Sequence, residues 1–407
     1  MSASRHSISD LYVVPGAPVP TESLPKVAVV ILNYNGRHHL ERCFDSLAAL
    51  DYPRERLDVF LVDNGSEDGS VEDMRSRWPW VRLILNPRNY GFAAACNQGA
   101  ANRRDASIVA FLNNDMRVDP AWLRELVSPI VRGEAAATTS KMLSWDGSRI
   151  DSAGGGMNFH GFGIQYGYGD APGADHEVAR RTLFACGGAM AIDARVFDAL
   201  GGFDRDYFAY YEDVDLGWRT WLAGHEVRYV PTSVCWHHHS STSKRFPPET
   251  VRLIQIRNPL LTCLKNYDEA NLRSVFPVAL AVSVRRMLLV ARIPDQHPYF
   301  IYGAKPMDLA VPCGAVEPNP DISREAVADL IGINEVLARW PHWMQRRREV
   351  QALRKRPDEQ VFALFLKPLW HVESDPVSTA MIDGLASFYG LDGMFDGLDL
   401  LERRPQC

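Results

Sequence analysis

The sequence lacks the features that mark several large classes of protein. Its seven cysteines are scattered, odd in number and without a Cys-x-x-Cys pair, which argues against a disulfide framework or a zinc site and favours a reducing compartment. No apolar stretch reaches the roughly 18 residues of a membrane-spanning helix. Residues 1–22 are polar and proline-rich without an apolar core, so we expect no export. The net charge of −6 argues against nucleic-acid binding.

Two common phosphate-binding motifs are also missing. No Gly-x-Gly-x-x-Gly follows the first apolar run, and no lysine-containing phosphate loop is present. Their absence disfavours a dinucleotide-binding protein and a P-loop enzyme. What is present is a chain of 407 residues with 46% hydrophobic content, which is enough for a large core and more than one domain or subdomain.

Short, β-branched apolar runs alternate with helical patterns near the start of the chain. The runs are 27–32, 57–62, 81–85 and 108–112, and an alanine-rich helix is predicted over 92–101. This alternation predicts parallel βαβ units in a doubly wound α/β sheet. The last run shows no polar alternation, so we predict a strand buried on both faces.

Each predicted strand ends in Asn, Asp or Gly. Parallel strands bring these ends to one rim of the sheet, where open α/β sheets bind ligands, and a nucleotide offers a base, a ribose and a diphosphate to such a rim. Each residue alone also fits an ordinary turn. A carboxylate flanked by amides supplies oxygen ligands for Mg²⁺ or Mn²⁺. The predicted rim consists of Asn33, Tyr34, Asn35, Asp63, Asn64, Asn89, Gly91, Asn113, Asn114 and Asp115.

Three acids precede a helix predicted over 216–223. They are Glu212, Asp213 and Asp215. The helix dipole accounts for one of them as a cap, and three exceed that need. Because nearby helix positions do not face each other, Asp213 and Asp215 should not share a role.

Two other segments attract attention for their residue types. Gly187 and Gly188 would let a ligand approach the backbone closely, although a bulge or tight packing explains them equally well. A strand predicted over 226–230 continues into three histidines, of which His237 and His239 should share a face. With the Ser, Thr, Lys and Arg residues of 240–245, they suggest a metal ligand and donors for phosphate oxygens.

Residues 25–265 resemble a family 2 glycosyltransferase of the GT-A fold, close to the rhamnosyltransferase-like branch. The resemblance implies a Rossmann-like, mostly parallel sheet flanked by helices, between a flexible segment (1–24) and a mainly helical C-terminal region (266–407). Six segments carry it, in the order and spacing of the family: VVILNYNG at 29–36, VDNGSEDG at 62–69, NPRNYGFAAACN at 86–97, LNND at 112–115, YEDVDLGWR at 211–219 and WH at 236–237.

The resemblance implies inverting transfer of rhamnose or a hexose from a nucleoside-diphosphate sugar to a hydroxyl of a glycan or lipid-linked acceptor, with Mg²⁺ or Mn²⁺. Asp213 resembles the catalytic base, and Glu212 would orient it or hold an acceptor hydroxyl. Asp115 and His237 match the metal ligands, but Asn113 replaces the first acid of the family's Asp-x-Asp motif. The expected setting is bacterial surface polysaccharide synthesis in the cytoplasm, at the inner face of the plasma membrane.

The donor-binding residues follow from the same resemblance. Asp63 resembles the residue that recognises the base, and Asn35 and Asn89 line the nucleotide site. The remaining residues of the implied donor site are Asn33, Tyr34, Asn64, Gly91, Asn97, Asn113, Asn114, Gly187 and Gly188.

Two other classes stay open. A nucleotidyltransferase also presents strand-end acids and a metal, but it normally has a glycine-rich triphosphate loop, which 33–36 is not. A non-catalytic sugar-nucleotide-binding or scaffold protein would explain the missing acid of the metal motif. The retained Asp213 argues against that class, because binding alone requires no base.

The C-terminal region suggests a membrane hypothesis. The apolar stretch 272–293 contains Arg285 and Arg286, so it is either an interfacial helix whose arginines contact anionic headgroups or a helix packed on the catalytic domain. A second basic run, 346–356, is either a solvated helix face or a contact for a lipid-diphosphate acceptor. Peripheral membrane contact is therefore a hypothesis. The sequence identifies neither the sugar, the acceptor nor the oligomeric state.

Overall fold

The chain folds into a mixed sheet covered by helices. A computed structural model describes residues 11–238, 246–292, 323–372, 375–396 and 398. Within these residues the strands are β1 (Val27–Asn33), β2 (Leu57–Asp63), β3 (Arg82–Leu85), β4 (Ile108–Asn113), β5 (Met116–Val118), β6 (Ala137–Ser144), β7 (Ile150–Ser152), β8 (Gly155–Met157), β9 (Gly163–Gln165), β10 (Arg180–Arg181), β11 (Ala189–Asp193) and β12 (Val227–His237).

The helices cover both faces of the sheet and make up most of the described C-terminal region. They are α1 (Arg37–Ala48), α2 (Ser70–Arg77), α3 (Phe92–Ala101), α4 (Trp122–Val131), α5 (Ala194–Ala199), α6 (Glu212–Leu222), α7 (Pro248–Asn266), α8 (Glu269–Val290), α9 (Arg324–Ala338), α10 (Trp340–Ala352), α11 (Glu359–Phe362), α12 (Pro376–Phe388) and α13 (Leu391–Phe395).

The strand order places a ligand crevice beside β1. The main sheet runs β10-β12-β6-β11-β4-β1-β2-β3, and β3, β2, β1 and β4 are parallel as predicted. The chain proceeds outward from β1 to β3 and then returns to add β4 on the other side of β1. Ligands of open α/β sheets bind where the order reverses, outside the carboxyl ends of the strands. β11 lies antiparallel between β4 and β6, and β12 is parallel to β6.

β4 is buried on both faces, which confirms the prediction for 108–112. Val109 and Phe111 belong to one hydrophobic core, whereas Ala110 and Leu112 belong to the core on the other side of the sheet. Because neighbouring residues of a strand point to opposite faces, a continuous apolar run is what a doubly covered strand requires.

The prediction of a flexible segment over 1–24 is wrong for its second half. Leu11, Val19 and Leu24 are buried. The backbone N–H of residue 13 donates to the carbonyl of Ala179, and the carbonyl of Leu11 accepts from the N–H of Arg181. Residues 11–13 therefore lie along the β10 edge of the sheet, and Val19 and Leu24 pack in the core beside β1 and α1. Residues 1–10 lie outside the described residues.

The helix predicted around 272–293 packs on the protein rather than on a membrane surface. Val275, Val278 and Val282 of α8 are buried. Arg285 is also buried, and it donates to the carboxylate of Asp375 on the N-terminal side of α12 at 2.9 Å. The interpretation in which this arginine contacts headgroups is therefore wrong.

Arginines of the second basic run also make contacts inside the protein. Arg347 is buried and donates to the carbonyl of Leu264 at 2.8 Å, and Arg354 pairs with Asp358 at 2.7 Å. Arg356 donates to the carbonyl of His225 at 2.7 Å. These three arginines connect the C-terminal helices to the sheet domain and to one another. Within the part of the chain that the structure describes, no helix is both long and apolar enough to cross a membrane.

A buried ion cluster joins α6 to α7. The carboxylate of Asp215 lies 2.8 Å from Nε of Arg219 and 2.9 Å from Nζ of Lys265, and Lys265 also contacts Asp204 at 2.6 Å. All four side chains are almost fully buried. Burial raises the pKa of Asp215, but the charges of Arg219 and Lys265 outweigh burial and lower this pKa below its ordinary value. Asp215 is therefore ionised and fully compensated.

Replacing Lys265 by methionine should strongly destabilise the protein. The variant leaves Asp204 and Asp215 buried with less positive charge, and breaking a buried pair in this way typically costs about 3–5 kcal/mol. Arg273 is the control, because it pairs with Glu269 at 3.0 Å with 77% of its side chain exposed. Arg273→Met should change the free energy of unfolding by less than about 0.5 kcal/mol. Urea unfolding measures both, and equal losses would contradict the structural role of Lys265.

Candidate active site

Side chains from the ends of β1, β2 and β4 meet at the predicted rim. The side-chain amide of Asn33 donates to Asp63 Oδ1 at 2.9 Å, and its oxygen accepts from Asn114 Nδ2 at 2.7 Å. The backbone N–H of Ser66 donates to the other oxygen of Asp63 at 2.9 Å. The parallel topology thus brings these residues together as predicted. Their binding roles remain predictions.

Asn35 and Tyr34 lie beside this rim in the turn after β1. Asn35 has a positive φ of 52°, its N–H donates to Ser66 Oγ at 2.8 Å, and its side-chain oxygen accepts from the N–H of Glu67 at 2.7 Å. The ring of Tyr34 stacks on Phe246 with centroids 6.4 Å apart. Hydrogen bonds to the loop after β2 therefore fix the conformation of this turn, and the rings of Tyr34 and Phe246 lie beside it.

A second network of amides connects β2 to the start of α3. Asn64 donates to the side-chain oxygen of Asn89 at 3.0 Å and accepts from Asn86 at 2.9 Å. The N–H of Gly91 donates to Asn89 at 2.8 Å. Gly91 has a φ of +85°, and a Cβ there would lie 2.5 Å from the carbonyl of Phe208, so only glycine fits. Asn64 and Gly91 therefore hold Asn89 in place through these hydrogen bonds.

Three predicted donor-site residues have internal contacts instead. Asn97 donates to the carbonyl of Phe203 at 2.7 Å and accepts from its N–H at 3.0 Å, so it holds the loop before α6. A Cβ on Gly188 would lie 2.7 Å from the side chain of Met116. The close contact at Gly188 agrees with the packing explanation of this pair. The donor-binding roles of Asn97, Gly187 and Gly188 remain predictions.

Asp115 and His237 lie next to each other, although 122 positions separate them in the sequence. The pairing of β5 with β12 brings His237 opposite Met116. His237 Nε2 is 3.3 Å from Asp115 Oδ1, and its Nδ1 is 2.7 Å from Asp151 Oδ2. Asp151 on β7 carried no signal in the sequence, because it belongs to no recognisable motif.

The two carboxylates hold His237 in its charged form. Burial lowers the pKa of His237, while hydrogen bonds to Asp115 and Asp151 raise it to about 10. Burial raises the pKa of Asp115, but the hydrogen bond and the charge of His237 outweigh burial, and this pKa falls below its ordinary value. In the metal-free protein the pair is therefore an ion pair.

Asp115 and His237 could supply two of the ligands of a divalent ion. Histidine ligands usually donate their second nitrogen to a carboxylate, as His237 can to Asp151. The residues that the structure describes contain no group of three or more His, Cys, Asp and Glu side chains arranged to hold a metal. A bound ion would need further ligands from its substrate. The predicted contributions of His239 and residues 240–245 lie outside the described residues.

Asp213 is held by two backbone N–H groups. Helix α6 begins at Glu212, four residues earlier than predicted, so the acids form its first turn. Asp213 Oδ2 accepts from the N–H of Gly187 at 2.9 Å, and Oδ1 accepts from the N–H of Val214 at 2.8 Å. Burial raises the pKa of Asp213, and these hydrogen bonds only partly oppose it, so this pKa stays above its ordinary value.

Glu212 is a buried carboxyl without full compensation. Its Oε2 has no hydrogen-bond partner within the described ranges. Burial and the negative charge of Asp213 raise the pKa of Glu212 well above its ordinary value. Asp215, three residues later, has the opposite environment. Two neighbouring carboxyl groups with raised pKa values are typical of sites that move protons.

The loop before α6 is strained and clamped. Phe208, Tyr210 and Tyr211 all have positive φ, between 62° and 68°, which is costly for residues with a side chain. Asn258 of α7 donates its side-chain amide to three carbonyls of residues 207–210 at 2.7 to 3.0 Å. Asn258 thus positions Asp213 indirectly. This role could not be predicted, because an asparagine inside a helix belongs to no motif.

Replacing Glu212 by glutamine should raise stability at alkaline pH. A raised folded-state pKa means that Glu212 favours folding when protonated and opposes it as the pH rises through that pKa. The gain in melting temperature should therefore be larger at pH 8 than at pH 5. Exposed Glu269, whose pKa is lowered by its hydrogen bond to Arg273, is the control, and Glu269→Gln should give no gain at pH 8. Calorimetry that shows Glu212→Gln less stable than wild type at pH 8 would contradict this account.

The sequence is similar to those of known glycosyltransferases. The model of the family described as Glycosyl transferase family 2 matches residues 28–201. The N-acetylglucosaminyl-diphospho-decaprenol L-rhamnosyltransferase of Mycobacterium tuberculosis is 31% identical over 250 residues, which cover 56% of this chain and 80% of the relative. The O-antigen biosynthesis protein RfbC of Myxococcus xanthus is 32% identical over 239 residues, which cover 56% of this chain but only 18% of that relative.

A solved structure shows the same fold. The crystal structure of GalNAc-T7 with UDP, GalNAc and Mn²⁺ aligns with a TM-score of 0.51 at 19% identity, over 64% of this chain and 52% of that one. The predicted GT-A fold with a helical C-terminal region is thereby confirmed. The similarity to the rhamnosyltransferase supports the predicted branch. The chain belongs to glycosyl transferase family 2 and is a glycosyltransferase.

Proposed function

We propose that the protein transfers a sugar from a nucleoside-diphosphate sugar to an acceptor hydroxyl, with inversion at the anomeric carbon. One observation carries the proposal: the Gly187-Gly188 pair contacts both the Asp213 carboxylate of α6 and the strand end at the metal pair. The N–H of Gly187 donates to Asp213, and the carbonyl of Gly188 accepts from the N–H of Asn113 at 2.8 Å. A base and a donor site are thus built on one short segment.

Asp213 is the general base of the proposed reaction. A base must take the acceptor proton as the bond from the anomeric carbon to the diphosphate breaks and the bond to the acceptor oxygen forms. The raised pKa of Asp213 makes its carboxylate a stronger base than an exposed aspartate. The hydrogen bonds from two backbone N–H groups fix the orientation of the Asp213 carboxylate. Glu212 precedes Asp213 in the first turn of α6. Its proposed role is either to orient Asp213 or to hold an acceptor hydroxyl.

The rim at β1, β2 and β4 is the proposed donor site. Asp63, whose carboxylate accepts from Asn33 and Ser66, is the proposed residue that recognises the base of the nucleotide. Asp115 and His237 are the proposed protein ligands of Mg²⁺ or Mn²⁺. When bound, the ion would neutralise the charge of the leaving diphosphate, whose oxygens are suitable further ligands. Manganese and UDP in the GalNAc-T7 structure support this arrangement at the level of the fold.

The named relatives suggest the substrates. The mycobacterial relative is named as a rhamnosyltransferase acting on a diphospho-decaprenol acceptor. We therefore propose rhamnose as the first donor sugar to test, a hexose as the second, and a glycan or lipid-linked acceptor in surface polysaccharide synthesis. We place this activity in residues 25–265, with the C-terminal region from 266 onward as support for the site. A peripheral site at the inner face of the plasma membrane suits a lipid-linked acceptor.

A donor screen tests the proposal. The protein would be titrated with dTDP-rhamnose, UDP-hexoses and GDP-hexoses, with and without Mn²⁺ or Mg²⁺, while its melting temperature and the slow hydrolysis of each donor are followed. Stabilisation by one nucleotide class that requires the metal, together with hydrolysis of that donor, is the expected result. Stabilisation without hydrolysis or transfer would favour a non-catalytic sugar-nucleotide-binding protein. No response to any donor would contradict the proposal.

Replacing Asp213 by asparagine should lower kcat at least about a hundredfold, because the general base is lost. The affinity for the donor should stay within a few-fold of wild type, since Asp213 faces the acceptor. The wild-type rate should fall as the pH drops through an apparent pKa above that of an ordinary aspartate, and the variant should lack this dependence. Initial rates over pH 4 to 8 measure both effects. Unchanged activity in Asp213→Asn would contradict the assigned role.

A further inference from the structure

An aromatic ladder leads from the surface to the proposed base. Trp370 packs on Phe162 with ring centroids 5.8 Å apart, and Phe162 packs on Tyr211 at 6.5 Å. Trp370 is 41% exposed. Tyr211 immediately precedes α6, two positions before Asp213. The rings meet at interplanar angles of 60° and 64°, so they pack edge on, and the ladder ends at the residue before α6.

The ladder is held in place from both sides. The N–H of residue 159 donates to the carbonyl of Pro368 at 2.8 Å, and Asn158 donates its side-chain amide to the carbonyl of Trp370 at 2.9 Å. The hairpin of β8 and β9 also touches Tyr211, because a Cβ on Gly163 would lie 3.6 Å from that ring. The backbone around Trp370 is therefore fixed, and its exposed ring does not result from a loose chain end.

Polar groups border the aromatic surface. His160 and Arg286 line a small groove together with Phe162 and Val372. Asn158 lies within 2.7 Å of the His160 ring. The groove is too small to enclose a sugar ring, and Trp370 lies outside its lining. Its polar groups beside the exposed indole suit a ligand that has an apolar face and polar edges. A pyranose ring has both, since its C–H groups form the face and its hydroxyls form the edge.

We propose that Trp370 and Phe162 form a binding platform for a sugar ring of the acceptor. This inference rests on the proposed function, because it assigns the platform to the acceptor side of Asp213. The sugar ring stacks on the indole of Trp370, and its hydroxyls meet the polar groups beside Phe162. The C-terminal region thereby contributes directly to the acceptor site, through the segment around Trp370.

Acceptor kinetics of Trp370→Ala and Phe162→Ala test the platform. The probes are methyl and octyl N-acetylglucosaminides, chosen because the mycobacterial relative is named for an N-acetylglucosaminyl acceptor. Trp340→Ala is the matched control, since Trp340 is 39% exposed and packs on Phe276 at 6.0 Å. Trp370→Ala and Phe162→Ala should each raise the acceptor KM about tenfold or more with both probes, while the donor affinity and the melting temperature stay near wild type. Trp340→Ala should leave this KM unchanged.

Different results separate the platform from the proposed function. A KM equal to that of wild type and Trp340→Ala in both variants would overturn the platform while leaving the transfer reaction in place. An effect seen only with the octyl glycoside would assign the surface to the lipid chain and would also overturn it. Absence of donor binding and of transfer in the wild-type protein would instead contradict the proposed function, and this inference with it.

Discussion

The buried ion cluster around Asp215 is the constraint on which the candidate site depends. Arg219 and Lys265 satisfy this carboxylate and fix α6 against α7. With the helix fixed, Glu212 stays buried and Asp213 half-buried in the same turn without such compensation. The pKa of Asp215 is lowered and those of its two neighbours are raised, although they lie on one helix. Local charge, rather than burial alone, separates Asp215 from the two acids with raised pKa values.

The C-terminal region supports the site through a few polar contacts. Lys265 and Asn258 both project from α7, one to the ion cluster and the other to the strained loop before α6. Arg347 and Arg354 then connect α7 and its C-terminal end to later helices. Much of the positive charge of this region thus serves the fold, which explains how a run of arginines can look like a membrane-binding surface in the sequence alone.

The sequence predicted those features that depend on local pattern. Continuous apolar runs located the parallel strands, and polar residues at their ends located the rim, because both follow from strand periodicity. It could not predict the contacts of Asp151 and Asn258. Asp151 contacts His237, 86 positions later in the chain, and Asn258 contacts Tyr210, 48 positions earlier. Nor could the sequence predict the bonds of Asn97 to the backbone of Phe203, 106 positions away. An asparagine that bonds to a distant backbone has the same local pattern as one that binds a ligand.

Locating a bound metal ion tests the central claim most directly. Crystals grown with Mn²⁺ and a nucleoside diphosphate would be measured by anomalous diffraction at the manganese edge. The account predicts a single strong peak in contact with Asp115 and His237, with the diphosphate on the rim formed by β1 and β4. A peak elsewhere, or a diphosphate bound away from this rim, would contradict the assignment of the donor site.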